Sequence, residues 1–255
     1  MSPDQQFDAQ NLARAEAILL AHEVAREYFQ GELYDRQNNR LRGMTIERQA
    51  GDLLDLDEKT VGRLFMIPDG STVWALKVGE NSDAPAGLDV QSTNPFLAED
   101  ETNSVIAFRD EAGPAMWLDA LYIRRLMLAN NAPERMATVS FGLMAITAYR
   151  LGFQRISLFA AGRGPLEPND PDTYIGYDVW PKFGFDTPVI PAELNRFPMP
   201  ELDSACTVQD VVAAAPEWWS MHGTGRRMQF DLTAGGRSWS VLLNYLYEAL
   251  QEQQP

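Results

Sequence analysis

The sequence predicts a mixed α/β fold, a sheet flanked by helices, with a loop-rich C-terminal segment and a terminal helix closing the chain. Three neighbouring stretches carry that reading. Residues 116–123, Met-Trp-Leu-Asp-Ala-Leu-Tyr-Ile, are apolar at every position but Asp119, as in a strand covered on both faces. Met136, Val139, Leu143, Ile146 and Leu151 then follow a helical period, from Pro133, where a helix can begin, to Gly152, where one can stop. Residues 155–160, Arg-Ile-Ser-Leu-Phe-Ala, make a second compact apolar strand. Strand, helix and strand with short connections imply a right-handed parallel crossover.

The other elements are read in chain order. Leu12, Ala15, Ile18, Leu19, Ala25 and Phe29 predict one amphipathic helix over 11–30, ended by Gly31, with His22 as a packing histidine near its apolar stripe. Residues 40–48 read as a first strand, and Leu53-Leu-Asp-Leu-Asp-Glu as a short helix or a turn. Two runs, 63–67 and 72–78, are joined by Pro68-Asp-Gly-Ser71 and read as a hairpin. The stretch 79–103, rich in Gly, Asn, Ser, Asp and Pro, reads as a long loop. Residues 104–109 and the long strand after Gly113 make a second hairpin.

Beyond the crossover, Pro188, Pro191, Pro198 and Pro200 predict a segment without regular structure. A short helix over 208–215, a strand over 227–232 and a last helix capped by Ser238 follow; Trp239, Leu242, Leu243, Leu246 and Leu250 form the apolar face of that helix. No internal repeat or linker is visible, so the chain reads as one domain. Its parts are a helical 1–60, a core sheet and central helix over 61–187, and an extension over 188–255 packed on the core.

Composition narrows the function classes. With 255 residues, 45% of them hydrophobic, and six Trp, twelve Phe and eight Tyr, the chain can fill a sizeable core. A net charge of −15 repels phosphate backbones and anionic membrane surfaces, which argues against nucleic-acid and membrane partners. No apolar run approaches the roughly 20 residues that span a bilayer. The opening Met1-Ser-Pro-Asp-Gln-Gln has neither the basic nor the apolar part of a signal peptide, so a soluble, cytoplasmic protein is expected. A single cysteine, Cys206, fits a reducing compartment.

A hairpin into a long strand, a helix ending Tyr149-Arg-Leu-Gly-Phe153, a strand, and the phrase Trp180-Pro-Lys-Phe-Gly-Phe185 together resemble the GNAT (Gcn5-related N-acetyltransferase) fold over residues 104–186. In that family an Arg/Gln-x-x-Gly-x-Gly/Ala motif opens the central helix, and its amides hold the pyrophosphate of acetyl-CoA. Here the motif falls on Arg135-Met-Ala-Thr138-Val-Ser140, with Thr and Ser in the glycine positions. The resemblance implies acetyl-CoA or another acyl-CoA as cofactor, bound by Arg135, Thr138 and Ser140, with the backbone near Leu126 and Leu128 along the pantetheine arm. It implies direct transfer of the acyl group to an amine on a small molecule or a protein.

The family's closing phrase carries a tyrosine that protonates the departing thiolate. Trp180 stands there, and an indole is not an acid at useful pH. Tyr177 and Tyr174 lie close in sequence; Asp119, a carboxylate in an apolar strand, and Asp178 are the candidate bases. The catalytic set that the resemblance implies is Asp119, Tyr177 and Asp178. The alternative is a fold kept without that chemistry, as a binding module for another ligand or a protein partner.

Two other features are weaker. Met221-His-Gly-Thr-Gly-Arg-Arg227 can grip an anion or be a solvated turn, and Trp218-Trp219 reads as an apolar plug. Two histidines and one cysteine are too few to suggest a zinc site.

Overall fold

The computed structural model describes residues 2–49, 52–81, 83–113, 116–165 and 174–251. Ser2 starts α1 (Pro3–Phe7) through a reciprocal pair of hydrogen bonds with Gln5, and a wider turn over Asp8–Leu12 leads into α2 (Ala13–Ala21). The single helix expected over 11–30 is broken at His22. Its ψ of 142° leaves the helical region, and its Nδ1 accepts the amide of Val24 at 3.2 Å, so it caps α3 (Glu23–Tyr28). The apolar period survives the break because α2 and α3 both pack on the central helix.

A two-stranded antiparallel sheet follows, β1 (Met44–Gln49) with β2 (Asp52–Leu56). Asp57 then caps α4 (Glu58–Leu64) by accepting the amide of Thr60 at 2.7 Å. The strand expected over 63–67 is instead the end of α4 and a turn with Met66 at φ 55°. Leu64, Phe65, Met66 and Ile67 are all buried, so the apolar run marked burial and not extension.

Four strands then run antiparallel in sequence: β3 (Thr72–Val78), β4 (Gly87–Thr93), β5 (Asn103–Gly113) and β6 (Met116–Arg125). The strand β4 occupies part of the expected loop over 79–103; its buried side is polar at Asp89, which hid the strand pattern. Helix α5 (Met136–Arg150) ends as expected. Gly152, at φ 80°, donates to the carbonyl of Tyr149, and Phe153 to that of Ala148, satisfying the last carbonyls.

The rest of the chain carries β7 (Arg155–Arg163), α6 (Gly176–Lys182), α7 (Pro191–Arg196), α8 (Val208–Ala214), α9 (Pro216–His222), β8 (Thr224–Asp231) and α10 (Arg237–Gln251). The expectation of no regular structure after Pro188 is corrected: Pro191, Pro200 and Pro216 each sit in a first helical turn, where a missing N–H costs nothing. Ser238 lies inside α10 and its Oγ accepts the amide of Asp231 at 3.1 Å.

The main sheet is six-stranded and mixed, in the order β3-β4-β5-β6-β7-β8, with helices flanking it. The chain divides into two compact units. One comprises the described residues up to Ile156 with 232–234 and 246–251, and the other comprises 157–231 and 235–245. In the first, Leu12, Leu19, Val24, Val61, Leu64, Val139, Leu143 and Ile146 are buried, and Gly142 lets α2 approach α5: a Cβ there would meet Leu19 at 2.9 Å. In the second, edge-on aromatic pairs run from Trp180 to Phe185 (5.2 Å), to Phe230 (5.8 Å) and to Trp239 (5.2 Å). Among the described residues no helix is long and apolar enough to cross a membrane.

Candidate functional site

Five predicted positions lie along one piece of the first unit, from the end of β6 to the start of α5. The strand ends at Arg125, and beyond it Leu97 bridges Leu128 in antiparallel fashion. The carbonyl of Met127 accepts the amide of Ala98 at 2.9 Å and the amide of Ala129 donates to Phe96 at 2.9 Å. The edge expected to run along a pantetheine arm, at Leu126 and Leu128, is therefore partly used by residues 96–98.

Arg135 adopts the left-handed conformation, φ 65°, and stands at the N-cap of α5 without a capping side chain. The first turn holds no acidic residue, and first-turn amides have no acceptor within a helix. Arg135 Nε is buried with no hydrogen-bond partner among the described residues, and its nearest carboxylate, Glu134, is at 3.8 Å. Thr138 and Ser140 are buried in the helix body, and the Ser140 hydroxyl donates to the carbonyl of Met136 at 2.7 Å. The helix start carries no side-chain cap and no acid, and the amide of Met136 donates to the carbonyl of Pro133 at 3.1 Å. The Ser140 hydroxyl is spent inside the helix.

Asp119 lies on β6 directly opposite Arg109 of β5, and the two are paired at 3.1 Å. The two arginines nearest to it along β6 are engaged elsewhere: Arg125 pairs with Glu101 at 2.9 Å and Arg124 with Asp89 at 3.2 Å.

Tyr177 and Asp178 belong to the second unit, at the start of α6. Tyr177 has no exposed surface, and its hydroxyl donates to the carbonyl of Ser220 at 2.7 Å. Burial, and then the neighbouring Asp178 carboxylate, push that hydroxyl above the ordinary tyrosine range. Asp178 is buried too, accepting from Ser220 Oγ at 2.6 Å and pairing with Lys182 at 2.5 Å. The Trp pair acts as the expected plug: Trp219 Nε1 donates to Tyr177 and Trp218 Nε1 to Phe197, at 2.9 and 2.8 Å. His222 stacks on Phe197 at 3.9 Å, and Arg226 binds Glu193 with both contacts at 2.8 Å; the stretch 221–227 is not a turn but the end of α9 and the start of β8.

The sequence reading missed a polar cluster on the first unit's sheet: Asp89 and Gln91 on β4, Ser104 on β5 and Arg124 on β6. A run of alternate polar residues was the available signal, and the turn-like composition around it pointed to a loop. Among the described residues no group of His, Cys, Asp and Glu could hold a metal ion. Comparison with protein-family models, with curated proteins and with solved structures finds no significant match.

Proposed function

We propose that this chain is a GNAT-like module whose fold serves binding, and that it does not transfer acyl groups through Asp119, Tyr177 or Asp178. The observation that supports this most is the phenol of Tyr177, fully buried and spent on the carbonyl of Ser220. An acid that protonates a thiolate must reach it and hold a proton near working pH. Asp119, engaged by Arg109, and Asp178, engaged by Lys182 and Ser220, are likewise committed within their own units.

The second reading is an acyl-CoA-dependent N-acyltransferase acting on a small-molecule or protein amine. What favours it is the start of α5: no capping side chain, no acid in the first turn, and Arg135 at positive φ with an Nε that makes no hydrogen bond among the described residues. The fit to a CoA pyrophosphate is one of charge and backbone, while Thr138 and Ser140 occupy space that glycines leave open.

One experiment separates them. The full chain and an Arg135→Glu variant are melted with CoA and with acetyl-CoA, and thiol release from acetyl-CoA is followed with a mixture of amines. A ligand at 100 times its Kd adds about 2.7 kcal/mol of stability. A binding module for another ligand gives no shift and no thiol above the buffer rate. A shift lost in Arg135→Glu, with thiol release that Tyr177→Phe or Asp119→Asn abolishes, establishes the transferase and overturns our first reading.

A further inference from the structure

The polar cluster on β4, β5 and β6 lies within the first unit and rests on neither reading above. We infer that Arg124 is an oxyanion-recognition residue held in its binding pose by the buried Asp89, and that this sheet face takes the carboxylate or phosphate group of a small-molecule ligand.

The backbone gives the first reason. Val105 pairs with Ile123 but Ser104 with Arg125, which leaves Arg124 as an extra residue in a β-bulge. A bulge bends its strand and re-aims a side chain. Here the guanidinium reaches past β5 to a carboxylate on β4.

Electrostatics gives the second. Asp89 has no exposed surface, and a carboxylate in that position must have its charge met. Ser104 Oγ and Gln91 Nε2 donate to it at 2.6 Å each, and Arg124 Nη1 at 3.2 Å. Gln91 is itself fixed by Trp74 Nε1 at 3.0 Å, so the carboxylate's orientation is set from three strands. Asp89 is thus a positioning residue.

What it positions is only partly used. The guanidinium fork carries five N–H donors. Its bond to Asp89 is the one hydrogen bond Arg124 makes among the described residues, and the side chain keeps 36% of its surface exposed. Arg36 lies over the Trp74 ring at 4.3 Å, so a second guanidinium covers the indole that fixes Gln91. A planar fork with free donors, anchored from behind, suits an oxyanion in bidentate geometry.

The test titrates the full chain with inorganic phosphate and, separately, with succinate at constant ionic strength, reading Tm for wild type, Arg124→Gln, Arg124→Lys, Asp89→Asn and Arg135→Glu. We expect a saturable rise in wild type, with the better anion identifying phosphate or carboxylate as the group bound. Arg124→Gln and Arg124→Lys weaken the apparent Kd at least tenfold, the lysine because it keeps charge but loses the fork; Asp89→Asn also weakens it. No saturable rise with either anion, equal affinity in the Arg124 variants, or dependence on Arg135 instead overturns the assignment. If Asp89→Asn does not fold, the two arginine variants decide alone.

Discussion

Asp210 shows how much one carboxylate can do at a helix start. Its Oδ2 accepts the amides of Cys206 and Thr207, both at 2.9 Å, while Oδ1 receives Arg237 Nη1 at 2.6 Å. The Arg237 bond is the largest cause, burial opposes it, each backbone amide adds a lesser lowering, and the carboxyl falls from 3.8 to about 2. A carboxyl lowered on folding stabilises above its unfolded value, and that stability is lost as the pH falls from about 4 towards about 2. Both partners are partly exposed, 49% for Arg237 and 32% for Asp210, so solvent screening holds the gain to about 1 kcal/mol. We predict that Asp210→Asn lowers the urea midpoint at neutral pH, and that the gap to wild type closes as pH drops through that window. A gap of equal size at pH 2 and pH 7 would show that the charge contributes nothing.

At the scale of elements, the turn after α6 shows what a glycine in the closing phrase is for. Gly184 sits at φ 92°, and a Cβ there would come 2.4 Å from the carbonyl of Ser238 and 3.1 Å from the Phe230 ring. Backbone strain and a clash with main chain act together, so Gly184→Ala should cost about 2–4 kcal/mol. Gly235, at φ 69° with nothing within 4 Å, isolates the strain alone, and its alanine variant should cost about 1–2 kcal/mol. Equal losses at the two sites in urea melts would refute the clash. The sequence announced the helix stop at Gly152 because that is a local requirement, whereas the role of Gly184 depends on Ser238 and Phe230, far along the chain. The break at His22 was hidden, since a capping histidine leaves the apolar period unchanged. β4 was hidden because the side chain it buries at Asp89 is polar and is stabilised by Arg124, which lies 35 residues away in the chain. Among the site residues, Asp119, Tyr177 and Asp178 were legible as residue types. Their commitment to Arg109, Ser220 and Lys182 follows from pairings that only the folded chain defines.

At the scale of the whole molecule, neither unit is a continuous piece of chain. The first is interrupted after Ile156 and takes back residues 232–234 and the end of α10. Those returning pieces are built into it. The amide of Leu232 donates to Gln154 at 3.1 Å, and Leu246 approaches Gly142 of α5, where a Cβ would stand 3.4 Å from its Cδ1. Arg14 of α2 lies 5.2 Å over the Tyr247 ring, and Leu246, Ala249 and Leu250 are buried. Burying one leucine stabilises by about 1.5–3 kcal/mol, against a total of about 5–15 kcal/mol for a typical domain. A fragment of residues 1–156 would lose Leu232, Leu246 and Leu250 together and leave their partners on α2 and α5 in water. We therefore predict that this fragment shows no cooperative thermal transition, whereas Leu246→Ala in the full chain still melts cooperatively with a loss of about 2–5 kcal/mol. A cooperative melt of the fragment, with the helical and strand signal of its share of the fold, would mean that the first unit folds without the pieces it takes back, and that α10 is an addition to a core already complete.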